Sequence, residues 1–114
     1  MKLEGIEFKN SEMCQGVAYS DENAAVDMSV IDIKGRYPES GWAVNEKVYE
    51  MTYVKKGTGS LTLKDAQVLA LEEGSVVSVA PGNRFAWEGN MTIVMACNPP
   101  FDSAQYKLED NNEV

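Results

Sequence analysis

The chain contains no histidine in its 114 residues. That absence removes the imidazole general base, the Ser–His and Cys–His nucleophile pairs, and the ligand that best suits zinc, iron, copper and nickel. Cysteine is sparse: Cys14 and Cys97 lie outside any Cys-x-x-Cys pair, so no zinc spacing exists. Two buried thiols in a reducing compartment are expected from them, not a disulfide. No run approaches the ~20 apolar residues of a membrane span. The start, Met1-Lys2-Leu3-Glu4-Gly5, lacks the basic-then-apolar order of a signal peptide, so a soluble cytoplasmic protein is expected. Positive charge is short, with 10 basic against 18 acidic side chains and a net charge of -8. Such a surface repels phosphate backbones and argues against nucleic acid as a partner. Walker and dinucleotide glycine patterns are missing as well.

What is present is a series of short strand patterns cut by turn residues. Residues 26–34 alternate apolar and polar, as a half-buried strand does, and Gly35 is expected to end it. Residues 36–41 read as a loop, punctuated by Pro38 and Gly41. Residues 48–54 are rich in β-branched and aromatic side chains, and Gly57 and Gly59 are expected to let the chain reverse in a β-turn. Residues 60–64 and 67–71 suit a hairpin around Asp65-Ala66, followed by a turn at Glu72-Glu73-Gly74 and a strand over 75–79. Ala80-Pro81-Gly82-Asn83 has the residues of a type II turn, since proline presets φ and glycine accepts the positive φ that follows. Residues 84–88 and 91–97 read as two strands joined at Gly89-Asn90, and Pro99-Pro100 closes the sheet. A short helix is expected after Asp102, capped by Asp102 or Ser103, and the acidic tail over 107–114 is expected to be disordered. Helical periodicity is almost missing, so residues 1–114 read as one all-β domain, an antiparallel sandwich or barrel.

Two glycine-anchored stretches go further. Glu50 stands seven residues before Gly57, with Tyr53-Val54 and Gly59 around it, and Gly74 leads to Ala80 and Gly82. These spacings, over about residues 35–100, resemble the two motifs of the cupin family. Gly41-Trp42-Ala43-Val44-Asn45-Glu46 and Cys97-Asn98-Pro99-Pro100-Phe101 are similar to a set of small bacterial cupins without an assigned activity. The resemblance implies a jelly-roll, double-stranded β-helix barrel, and it implies a homodimer. It also implies one metal, held by two histidines ahead of the glutamate and one after the second turn. Here those positions hold Ala43, Asn45 and Phe85, and moving the first pair by one residue gives Val44 and Glu46. Of the four ligands only Glu50 survives, so neither metal nor cofactor is expected. Asn90 falls one place later than the asparagine of the family.

Strand alternation then places the candidate site. If Glu50 faces the barrel interior, so do Val48, Thr52 and Val54, while Phe85 and Trp87 share the matching face of a later strand. The interior becomes an aromatic wall with one carboxylate, whose pKa rises by desolvation unless Asn45, Arg84 or Tyr49 relieves it. Trp42, Tyr49, Tyr53, Phe85 and Trp87 line either a pocket or a solid core, and Tyr37 and Trp42 are placed to act as a lid. The leading expectation is a metal-free barrel that binds a small sugar-like or aromatic molecule at Trp42, Asn45, Tyr49, Thr52, Phe85 and Trp87. The first alternative is a metal-independent sugar isomerase, epimerase or lyase with Glu50 as general base. The second is an oligomeric structural or interaction protein without a ligand.

Overall fold

The computed structural model describes residues 1–64 and 67–110. They form β1 (Ile6–Ser11), β2 (Cys14–Tyr19), β3 (Asp27–Tyr37), β4 (Trp42–Asn45), β5 (Tyr49–Leu63), β6 (Val68–Leu71), β7 (Val76–Val79), β8 (Arg84–Asn98) and β9 (Tyr106–Glu109). One 3-10 turn, η1 (Ser103–Gln105), follows Asp102, whose carboxylate accepts from the Ala104 N–H, as the sequence predicts. All strand pairs are antiparallel. The order β1-β2-β3-β8-β4-β9 is joined by β5, which pairs with β6, β7 and β8. The sheet curls into the jelly-roll barrel expected from the sequence. Among the described residues no helix is long and apolar enough to cross a membrane.

Three long strands make this barrel, where the sequence predicts shorter ones. β3 passes through Gly35 to Tyr37, β5 passes through Gly57 and Gly59 to Leu63, and β8 passes through Gly89 to Asn98. The expected strand end at Gly35, the reversal at Gly57-Thr58-Gly59 and the break at Gly89-Asn90 are therefore corrected. The glycines bend the strands without ending them. Gly35 pairs with Gly89, and Gly89 with Gly59, so three of them form one row across β3, β8 and β5. Gly89 sits at φ +142°, and a Cβ there would collide with the Gly59 backbone. Only a strand without side chains at this row lets β5 and β8 approach that closely.

A bulge sets which side chains face inward. The β5–β8 register shifts between Val54 and Lys56, which leaves Lys55 as the extra residue. Before it, the buried positions of β5 are the even ones, Glu50, Thr52 and Val54; after it they include Leu61. Val48, Thr52 and Val54 thus share Glu50's side, as alternation predicts. The core fills with Ile31, Ile33, Val54, Leu61, Phe85 and Ile93, each nearly inaccessible.

Other expectations meet mixed outcomes. β6 pairs with the end of β5, the 80–83 turn keeps its Asn83 N–H to Ala80 carbonyl bond at 3.3 Å with Gly82 at φ +87°, and β8 stops before Pro99. Asp65 and Ala66, the expected hairpin tip, lie outside the described residues. The tail expected to be disordered begins instead as β9, paired with β4 from Trp42↔Glu109 to Asn45↔Tyr106. That pairing and the Arg84–Glu109 ion pair hold it in place, and residues 111–114 lie outside the described residues. The β1–β2 hairpin is an addition that the sequence reading does not contain. It pairs with β3 and packs Phe8 on the core.

Two adjacent register rows of the outer face are largely apolar across five strands. Val17, Val30, Val94, Tyr53 and Val76 stand in one register row. Tyr19, Met28, Ala96, Met51 and Ser78 stand in the next. Met28, Met51, Tyr53 and Val76 are exposed.

Candidate functional site

The site is built around one buried carboxylate. β5 turns Glu50 inward at 4% exposure, and the neighbouring β4 ends with Asn45, which is 1% exposed. The Asn45 amide nitrogen donates to Glu50 Oε2 at 3.0 Å. The Asn45 Oδ1 accepts from Gln105 Nε2 at 2.8 Å. Gln105, brought in by η1, accepts the Lys47 and Val48 backbone N–H groups at 3.0 and 3.2 Å. Each amide in this relay is satisfied at both ends, which fixes Glu50 Oε2 in place. The other oxygen differs. Glu50 Oε1 is the one buried side-chain polar atom of the described residues that has no hydrogen-bond partner.

Glu50 lies on the wall of a partly open cavity of about 410 Å³. β8 supplies Phe85 and Trp87, edge to face with ring centres 6.4 Å apart, and also Met95 and Cys97. β3 supplies Asp27, Ile31 and Tyr37; β1 and β2 supply Phe8 and Cys14; Phe101 and Tyr106 also line it. The Tyr106 hydroxyl donates to the Tyr37 hydroxyl at 3.1 Å. A second depression of about 410 Å³ is lined by residues that include Glu46, Val48, Pro99, Asp102 and Gln105. Its walls carry no unpartnered buried side chain among the described residues.

Burial dominates the electrostatics. It pushes the Glu50 carboxyl up to about 7; the Asn45 hydrogen bond opposes the rise and the Asp27 charge adds to it. Burial likewise pushes the Cys14 thiol up to about 11 and raises Cys97, Tyr37 and Tyr106, with the Glu50 charge adding to each. The thiols and phenols therefore stay protonated near neutrality, and Glu50 is poised between its two forms.

The sequence-expected site divides. Glu50, Phe85 and Trp87 meet on the cavity wall, and Asn45 supports Glu50 from behind it. Thr52 is buried on the inner side but does not line the cavity. Tyr49 is 45% exposed on the outer face, because it occupies an odd position ahead of the bulge. Trp42 also lies away from the cavity, with the Arg36 guanidinium 5.6 Å from its ring centre. Arg84 is no partner of Glu50, since its guanidinium binds Glu109. Sequence reasoning missed Asp27, Tyr106 and Gln105 entirely, and it took Tyr37, which is buried on the cavity wall, for a loop residue placed to act as a lid; the two thiols are free and buried, as expected, and also line the cavity. One signal was available for Tyr37: it keeps the inward parity of Ile31 and Ile33 once Gly35 is read as a bend.

The donor set does not fit the metal centre of the cupin motifs. Ala43 and Phe85, which stand at two ligand positions, pair across β4 and β8 and carry no donor atom. Asn45 is committed to Glu50 and Gln105. Among the described residues no three His, Cys, Asp or Glu side chains are grouped to hold an ion.

Comparison with known proteins agrees on the architecture. No family model and no curated protein matches the sequence. Among solved structures, the Streptomyces nucleoside dehydratase Pac13 superposes with a TM-score of 0.81 at 17% identity, covering 94% of this chain and 86% of that one. Its variants have been solved with uridine. A cupin-2 domain protein from Rhodospirillum rubrum superposes at 0.73 and 12% identity, covering 96% and 76% of the two chains. Ectoine synthase from P. lautus does so at 0.70 and 11%, covering 93% and 86%. At these identities the likeness establishes the fold alone: the chain is a small cupin-type barrel.

Proposed function

We propose that this barrel binds a small organic molecule in the cavity beside Glu50, with no metal taking part. The observation that carries the reading is the unpartnered Glu50 Oε1, buried on the wall of a cavity of about 410 Å³. Leaving such an acceptor without a donor costs about 1–3 kcal/mol, and a ligand N–H or O–H would recover it. Phe85 and Trp87 offer apolar surface to the rest of the ligand, the usual division of labour in a small-molecule site. Calorimetry and thermal shift against sugars, sugar acids, nucleosides and small aromatic or heterocyclic compounds test it. The expected result is one chemical class that raises the melting temperature of the wild type and loses that effect in Glu50→Gln. A panel without any response, together with a crystal structure whose cavity is closed by side chains, would sink the reading.

A second reading is acid–base catalysis of elimination or isomerisation, with Glu50 taking the proton. Its support is the Glu50 carboxyl held at about 7 in a cavity whose lining also contains the hydrogen-bonded Tyr106 and Tyr37. A base with that value is half available at neutral pH, and a phenol is a suitable donor to a leaving oxygen. The dehydratase activity of Pac13, a protein of the same fold, is of this reaction class. On any substrate found, Glu50→Gln is expected to abolish turnover and to leave folding intact. Surviving turnover would remove Glu50 from the role.

A further inference from the structure

The charge on the cavity wall narrows the ligand. Two of its side chains are carboxylates, Asp27 and Glu50, and six are aromatic: Phe8, Tyr37, Phe85, Trp87, Phe101 and Tyr106. Among the described residues that line it, none is lysine or arginine. An anionic ligand would thus meet two carboxylates with no cation to compensate, inside a protein whose net charge is already -8. A neutral ligand could use the aromatic faces but would leave the acidic character of the wall unused. A protonated amine uses all of it. Its N–H donates to Glu50 Oε1, the acceptor with no partner, its charge is balanced by the carboxylates, and its carbon body lies on rings whose faces attract cations.

Building on the binding role argued above, we infer that the cavity takes a primary or secondary ammonium group carried on an apolar or aromatic body. Glu50 Oε1 is the acceptor for the ammonium, and Asp27 is the second carboxylate on the wall. One Asp27 oxygen, Oδ2, is engaged by the Phe101 N–H at 2.9 Å.

The groups coupled to Glu50 come from five strands. Asn45 of β4 and Asp27 of β3 act on it, and its charge in turn raises Cys97 of β8, Tyr37 of β3, Cys14 of β2 and Tyr106 of β9. The thiols and phenols are all raised and stay neutral near neutral pH, which leaves the carboxylates to answer the ammonium. Binding a cation favours ionised Glu50, so it releases a proton when begun from the protonated form.

Sets of three compounds of one shape separate the possibilities: phenethylamine, 2-phenylethanol and phenylacetate, with the matching indolyl and cyclohexyl sets. In isothermal titration at about pH 8, the amine of at least one set is expected to bind about tenfold or more tightly than its alcohol, and the carboxylate not at all. Lowering the pH to about 6 should weaken the amine, with proton release seen as a dependence on buffer ionisation enthalpy, and leave the alcohol unchanged. Glu50→Gln, checked for folding by circular dichroism, should erase the preference for the amine and retain weak binding of the alcohol. If the alcohol or carboxylate binds as tightly as the amine in every set, the inference is overturned and the binding role stands. If no member of any set shifts the melting temperature at about 10 mM, a concentration that detects even weak sites, the inference is overturned, and the binding role is decided by the wider panel described above.

Discussion

Ionising Glu50 inside the folded protein is expected to destabilise it by about 3 kcal/mol, within a defined pH window. The carboxyl stands at about 7 in the fold against 4.5 in a solvated chain, with burial as the main cause. Between these values the native state keeps a proton that the unfolded chain has already released. Below 4.5 both states are protonated and the native state has its full advantage. As the pH climbs towards 7, the unfolded chain gains by ionising in water, and stability falls. Above that the loss is complete. At about 1.4 kcal/mol per tenfold in proton affinity, the separation of the two values gives about 3 kcal/mol. The assay is urea denaturation of the wild type and Glu50→Gln from about pH 4 to about pH 8, because glutamine stays neutral throughout. Taking the difference between the two proteins cancels the titration of the other carboxylates. Across the window that difference should move by about 3 kcal/mol in favour of the variant, or roughly 10 °C in melting temperature. A difference that stays flat to within about 0.5 kcal/mol would mean that Glu50 ionises as freely as in water. The account of a desolvated, unpartnered oxygen would then be wrong.

Four further outcomes follow from the structure. Gln105→Ala removes the acceptor of two backbone N–H groups and the donor to Asn45, and should cost about 2–3 kcal/mol in denaturant unfolding. Asn45→Ala deletes the hydrogen bond that holds Glu50 down, so a carboxyl-carbon NMR titration should place Glu50 higher than in the wild type. Gly89→Ala sets a Cβ against the Gly59 backbone at φ +142°. It should destabilise by about 2 kcal/mol or more, whereas Gly82→Ala, with open space around it, should lose less. If the homodimer that the resemblance implies forms through the exposed Met51–Tyr53 face, Met51→Lys with Tyr53→Lys should convert a dimer to a monomer in sedimentation. A wild type that already sediments as a monomer at micromolar concentration refutes that pairing.

The barrel was legible because its signals are local. The alternation about Glu50, the Pro81-Gly82 turn and the proline stop after Asn98 each act over a few residues, and each appears where expected. The strand lengths were not legible, since a glycine that bends a strand and one that ends it look alike in sequence. What separates them is the register across three strands, Gly35 with Gly89 and Gly89 with Gly59. The same limit governed the site. Glu50, Asn45, Phe85 and Trp87 could be found from the motif spacing and parity. Tyr49, expected at the site, lies on the outer face, as the alternation anchored on Glu50 already required of its odd position. Tyr106 and Gln105 come from a segment about 55 residues downstream of Glu50, and only the β4–β9 pairing brings them there. No local pattern encodes such a meeting.

The glycine row has a consequence for how the molecule comes apart. β3, β5 and β8 each run unbroken across that crease, for 11, 15 and 15 residues, so every long strand belongs to both sides of it. A fracture along the row would tear three strands at once, and no boundary exists at which one half keeps a complete ladder. The barrel therefore has no autonomous half. Fragments cut near the crease should stay unfolded alone and regain structure only when mixed, and unfolding should be all-or-none without a half-barrel intermediate. The same residues that look like breaks when read along the chain are what make the domain indivisible.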